Sequence, residues 1–286
     1  MNNLLTYHFK NELTKLGYPD LTVEYSLGYC QGDGVDFFGN LRVCDVADIM
    51  KRLFDASRTQ GSAVHRVKNL LAQKDIGNML SVLSDSGYDW DVSIDRNMKI
   101  DSTVTFRSID PADDEFLGDA AKDLDEMLRA GWRETTERWQ EIWERFLDEL
   151  KEEVQTLSRQ LKSDGYRLLE ATPYEETVVW ERNTRTYLVR VTELPVGEVH
   201  FCDLWDKGVR DDIIRGLLNG DERILGLRVE VLCRENGAVL GSHSLHELVI
   251  ARDDRSYAHY RRDLLKDAVR QARELAATFR LRKAVT

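Results

Sequence analysis

Apolar residues recur at helical spacing in Leu4, Leu5, Phe9, Leu13 and Leu16, and the run stops at Gly17, Tyr18 and Pro19. This pattern predicts a short amphipathic helix over residues 1 to about 20. The spacing then changes to alternation. Val23, Tyr25, Leu27 and Tyr29 share one face of an incoming arm, and Val35, Phe37, Leu41 and Val43 share one face of an outgoing arm. Between them Gln31, Gly32, Asp33 and Gly34 form the tip of a β-hairpin. Gly32 and Gly34 can adopt positive φ, which lets a backbone come close to a partner and leaves Gln31 and Asp33 exposed. Helical spacing returns next. Asp45 is placed to cap a helix carrying Val46, Ile49, Met50, Leu53 and Phe54, and a further stretch with Val67, Leu70, Leu71, Met79, Leu80 and Leu83 ends near Gly87. Tyr88 to Ile94 and Met98 to Ile109 alternate around Asp95, Arg96 and Asn97, as a second hairpin packed beside the first would.

From Pro111 the periodicity is helical for about 50 residues, through Phe116, Ala120, Leu124, Met127, Trp139, Ile142, Phe146, Leu150, Val154, Leu157 and Leu161. One unbroken helix of about 45 residues would reach roughly 70 Å, so a break near Gly131 is expected. Core packing, a helical hairpin and an intermolecular coiled coil all fit this spacing, although the bulk of Trp132, Trp139 and Trp143 suits a helix on a sheet better than a narrow seam. After Gly165 a three-strand meander is predicted over Tyr166 to Ala171, Thr177 to Glu181 and Tyr187 to Leu194. A helix over Asp211 to Leu218 follows, then a hairpin of Leu225 to Arg234 and Val239 to Ile250 around Glu235, Asn236 and Gly237. A basic amphipathic helix closes the chain, roughly Tyr257 to Phe279. The fold class is therefore α+β: antiparallel hairpins and meanders packed on helices in two units, 1–110 and 165–286, joined by an acidic helical segment, 111–164.

Charge sharpens this layout. The chain of 286 residues carries a net charge of −11, and it is unevenly spread. Between Asp113 and Glu153 there are fifteen acids against six bases, whereas Arg252 to Lys283 has ten bases against five acids. The molecule should be electrically polarised. Four cysteines without CxxC spacing argue against a disulfide framework. No apolar run reaches the roughly 18 residues that span a bilayer, and the start lacks the layout of a secretory signal, so a cytoplasmic location and no membrane partner are expected.

Candidate chemistry is sparse. The tip Gln31, Gly32, Asp33, Gly34 is a turn that could also contact a partner, a phosphate or a cation, but it matches neither a P-loop nor an EF-hand. His200 and Cys202, with His243 and His246, are the weak candidates for metal ligands; His243 and His246 would point to opposite faces of a strand unless a bulge intervenes. No metal or other cofactor is expected, catalytic residues are unknown, and a non-enzymatic role is preferred over an enzyme. Asp119, Asp123, Glu126, Glu134, Glu137, Glu141, Glu144 and Asp148 can line one helix face as a DNA-mimic-like acidic surface. Such a face is ordinarily just solvated. Direct nucleic-acid binding by the basic tail is not expected, because Asp263, Asp267 and Glu274 suit ion pairs within the helix.

The segment YSLGYCQGDGVDF, Tyr25 to Phe37, resembles a motif of small bacteriophage and mobile-element proteins reading Tyr-Ser-Leu-x-Tyr-x-Gln-Gly-Asp-Gly-x-x-Phe. The resemblance covers the N-terminal part only. It implies an accessory protein that binds a host protein or nucleoprotein complex, for instance to inhibit host defence, with a homodimer through 111–164 as a further expectation. A small-ligand or nucleotide-binding protein that uses the hairpin tip, with or without turnover, is the alternative.

Overall fold

The computed structural model describes residues 2–56, 74–84, 90–108, 131–197 and 206–285. The chain forms two compact units, one of Phe9–Lys162 and one of Met1–His8 with Ser163–Thr286. The division falls inside two helices, after His8 and after Lys162. Each unit carries a four-stranded antiparallel sheet with helices, an α+β architecture.

In the N-terminal unit, α1 (Asn2–Lys15) leads to β1 (Thr22–Ser26) and β2 (Gly34–Leu41), followed by α2 (Val43–Ala56), α3 (74–84), β3 (Val92–Ile94) and β4 (Ile100–Ser102). Strand order is β1-β2-β3-β4, so the second hairpin does lie beside the first. Val23 pairs with Phe37 and Tyr25 with Val35, which places the alternating apolar residues on one face as expected. The arms are shorter than expected, because Ser26 is already opposite Gly34 and residues 27–33 form a seven-residue loop. The outgoing arm stops at Leu41, where Arg42 and Val43 turn into α2. There the Asp45 carboxylate accepts from the Arg42 N–H at 2.9 Å and from Arg42 Nε at 3.0 Å, satisfying a donor that the helix start leaves open. Arg42 in turn holds the Asp45 carboxyl below its usual range.

α4 (Trp132–Glu170) supplies most of this unit's core. Trp139, Trp143, Phe146, Leu150, Val154, Leu157 and Leu161 follow one helical stripe, and all are buried. Phe106 meets both Trp139 and Trp143 edge-on, with ring centroids 5.9 Å apart in each case. The tryptophan side of α4 is thus covered within its own unit. Two expectations fail at the far end of this helix. It runs through Gly165 to Glu170, and Tyr166 to Glu170 is helix rather than strand, because Leu161, Leu168 and Ala171 continue the buried spacing. An interior glycine costs about 1 kcal/mol, less than burying Leu168 returns. The residues before Gly131, where a break was anticipated, lie outside those described.

The C-terminal unit holds β5 (Thr177–Asn183), β6 (Tyr187–Leu194), α5 (Lys207–Asn219), β7 (Glu222–Cys233), β8 (Val239–Ala251) and α6 (Ala258–Val285), with strand order β5-β6-β7-β8. α5 ends on Gly220 at φ 78, whose N–H returns to the last turn. α6 lies over one face of the sheet: Leu264, Ala268 and Ala272 pack with Leu225, Leu227, Val229 and Val231. The approach is close enough that a Cβ on Gly241 would run into the Ala268 carbonyl, which is why β8 needs glycine there.

Candidate functional site

The hairpin tip is built differently from the expected four-residue turn. Asp33 is 9 % exposed, not presented to solvent. Its carboxylate closes the loop from inside, accepting from the N–H groups of Gly28 and Cys30 at 2.9 Å each, from Ser26 Oγ at 3.1 Å and from Cys30 Sγ at 3.1 Å. Those acceptors are therefore committed to the loop and not to a cation or phosphate. The Asp33 hydrogen bond also pushes the Cys30 thiol above its ordinary pKa, so this exposed cysteine is a poor nucleophile. Gly32 takes φ 96 as expected, whereas Gly34 begins β2 in extended backbone. What the loop displays is Gln31, Gly32 and Tyr29, the last 66 % exposed and held at φ 56. α4 braces the base: Lys162 Nζ donates to the Asp33 carbonyl at 2.7 Å and Ser158 Oγ to the Val35 carbonyl at 2.6 Å.

Along α4, Glu134, Glu137, Glu141, Glu144 and Asp148 are all exposed on the side opposite the tryptophans. Glu137 pairs with Arg133 at 3.4 Å, and Glu144 lies 3.6 Å from Arg107 and accepts from Gln140 at 3.1 Å. Glu134, Glu141 and Asp148 have no ion pair among the described residues. Asp119, Asp123 and Glu126 lie outside the described residues, as do His200 and Cys202.

β8 does contain the bulge that His243 and His246 would need, since Leu225 faces Leu248 while Leu227 faces Leu245, with Glu247 at φ 60. The two rings nevertheless have separate partners. His243 Nε2 is 3.7 Å from Asp267, and His246 Nε2 is 3.2 Å from Ser244 Oγ. Among the described residues no group of three or more His, Cys, Asp or Glu is placed to hold a metal ion, and no helix is long and apolar enough to cross a membrane.

Two polar constellations escaped the sequence reading. In the C-terminal unit, Glu193 Oε1 receives Arg223 Nη1 at 2.7 Å and the Tyr257 hydroxyl, with Arg255 at 3.7 Å. Glu193 and Arg223 line a cleft of about 390 Å³ together with Arg252, Arg255, Tyr174 and Glu175. Three arginines are balanced there by Glu170, Glu175 and Glu193, so the cleft has no marked preference for one sign of ligand. In the N-terminal unit, Glu153 is held in the same way by Arg52 and Tyr18. A sequence signal existed for the first trio only. Glu193 follows Val189 and Val191 on an apolar strand face, and Arg223 precedes Leu225 and Leu227 on another, so each is a charge at an inward position.

No family model, curated protein or solved structure matches this chain. Any functional reading therefore stands on these surfaces and on the short tip motif.

Proposed function

We propose that this is a non-enzymatic interaction protein whose acidic α4 face docks on a basic surface of its partner. The observation that carries the reading is the placement of Glu134, Glu141 and Asp148: exposed on one stripe and without an ion pair among the described residues, on a helix whose opposite stripe is fixed in the core by Trp139, Trp143 and Phe146. A face anchored this way presents its charge on a pre-ordered backbone, so that only side-chain ordering remains to be met at binding. Its charge density also narrows the partner. Glu134 to Asp148 spans about 21 Å of helix, giving one carboxylate per roughly 5 Å, against one phosphate per about 1.7 Å of duplex. The face matches DNA in sign but is about threefold sparser, which fits a basic patch on a protein better than a channel built for a whole duplex.

The phage or mobile-element setting implied by YSLGYCQGDGVDF makes that partner a host protein or nucleoprotein complex, with inhibition of a defence system as the outcome and the cytoplasm as the place. The tip residues Tyr29, Gln31 and Gly32 are a second contact on the same reading, an exposed aromatic on a loop held by Asp33. Ligand binding at the tip is less favoured, because the Asp33 carboxylate is already used. The test compares proteins recovered from nuclease-treated host lysate by wild-type protein and by a variant with Glu134, Glu137, Glu141 and Glu144 changed to Gln. A salt-sensitive partner held by the wild type and lost from the variant is expected. Recovery of the same proteins by both at the same salt removes the electrostatic reading.

A further inference from the structure

Further along α4, beyond the stripe just discussed, Glu149, Glu152, Glu153, Thr156, Leu157 and Gln160 line a cleft of about 410 Å³ that is completed by Leu16 and Leu53. In the C-terminal unit, α6 presents a groove face of Arg262, Leu265, Lys266, Val269, Arg270 and Arg273, with Glu274 at its end and with Leu265 and Val269 half-buried where they also pack on the unit's own core. The two sets have one spacing: i, i+3, i+4, i+7, i+8, i+11, about 16 Å of helix each. One is acidic over leucine and the other is basic over leucine and valine.

We infer that these faces are mates, and that the occupant of the α4 cleft is α6 of a second copy of this chain. Set antiparallel, the two helices place Leu157 opposite Leu265, Glu152 opposite Arg270, Glu149 opposite Arg273 and Gln160 opposite Arg262. The charges needed are available. Glu152, Arg262, Lys266 and Arg273 are exposed and have no ion pair among the described residues. Among the described residues Glu149 and Arg270 have only intrahelical partners, Arg145 at 2.8 Å and Asp267 at 3.0 Å, of the surface kind that contributes little. Glu153 stays with Arg52 and forms part of the wall. Because each copy owns both faces, two copies can exchange them reciprocally and close as a twofold dimer. This docking is independent of the acidic stripe from Glu134 to Asp148, which it leaves uncovered for another partner.

The test is the mass of nuclease-treated full-length protein by sedimentation equilibrium at about 50 mM and about 500 mM salt. A mass of twice 33.1 kDa at low salt, falling to the single-chain mass at high salt, is expected. Glu149→Arg with Glu152→Arg should weaken the dimer at least about tenfold, as should Arg270→Glu with Arg273→Glu. Mixing the two reversed variants should restore it, since each then offers the other a matched pair of faces; that result also shows that both variants are folded. A single-chain mass at low salt overturns the inference. So does a dimer that neither pair of reversals weakens, or a larger mass that disappears on nuclease treatment.

Discussion

Both units solve the same problem with the same three side chains, and the two solutions differ in burial and reach. In the N-terminal unit Arg52 grips Glu153 with two parallel bonds, 2.5 and 2.6 Å, while Tyr18 donates to the same carboxylate at 2.6 Å. The trio ties α2, α4 and the end of α1 together, and its charged side chains keep 30 % and 19 % exposure. In the C-terminal unit Arg223 and Tyr257 converge on one oxygen of Glu193, the Arg223 and Glu193 side chains keeping 10 % and 7 % exposure, and join β6 and β7 to the residue just ahead of α6. Each arginine keeps one buried Nε with no hydrogen-bond partner among the described residues. The difference teaches that the outer trio is a clamp between helices which water reaches readily, whereas the inner one is a lock that water meets only where Glu193 and Arg223 line their cleft.

The largest effect should come from breaking the inner lock. Glu193→Gln leaves the Arg223 guanidinium buried without its counter-charge, and should cost about 3–5 kcal/mol in the C-terminal unit. Hydrogen exchange on peptides from each unit measures this locally, so the N-terminal unit serves as the internal control. Replacing both partners, Glu193→Leu with Arg223→Met, should recover most of that loss, since an apolar pair of similar volume needs no desolvation. A loss under about 1 kcal/mol in the single variant would mean that the lock is solvated after all.

Glu153→Gln is the sharper half of the comparison. Arg52 can turn towards water when its partner loses charge, so the expected cost is about 1–3 kcal/mol, clearly below that of the inner site. Equal losses in the two units would show that the number of hydrogen bonds, and not burial, sets the energy.

These trios mark the limit of what the sequence could reveal. Periodicity identified α2, the β1–β2 pairing through Val23, Tyr25, Val35 and Phe37, and the α6 face that packs on the sheet, because each depends on neighbours a few residues apart. It misplaced the end of α4, where Gly165 looked like a stop but Leu168 continues a buried stripe that only the folded sheet explains. It also misread Asp33, whose Gly-rich surroundings suggest display while its carboxylate folds the loop inward. Tyr18 and Arg52 reach Glu153 across 135 and 101 positions, and no local pattern encodes such a meeting. The acidic stripe was legible as a pattern from Glu134 to Asp148, but which of its members lack an ion pair among the described residues emerges only once Arg133 and Arg107 have taken Glu137 and Glu144.

The smallest expected effect separates the two tyrosines at alkaline pH. Burial, reinforced by the charge and hydrogen bond of Glu153, pushes the Tyr18 hydroxyl far above its ordinary value. Burial, together with the Glu193 hydrogen bond, pushes Tyr257 in the same direction. Above about pH 10 the unfolded chain gives up both protons while the folded chain keeps them, so the unfolded state binds fewer protons and stability falls as pH rises. The stability linked to these hydroxyls is complete below pH 10 and is lost at up to about 1.4 kcal/mol per pH unit for each tyrosine until its folded-state pKa is reached. Tyr18→Phe should flatten this slope in the N-terminal unit and Tyr257→Phe in the C-terminal unit, read from urea midpoints between about pH 9 and 11 with unit-resolved hydrogen exchange. The Tyr18 slope should persist to the higher pH, because burial, with Glu153 beside it, raises its hydroxyl further than that of Tyr257. An equally steep decline in Tyr18→Phe would assign the alkaline loss to other groups and leave the outer clamp without its proton.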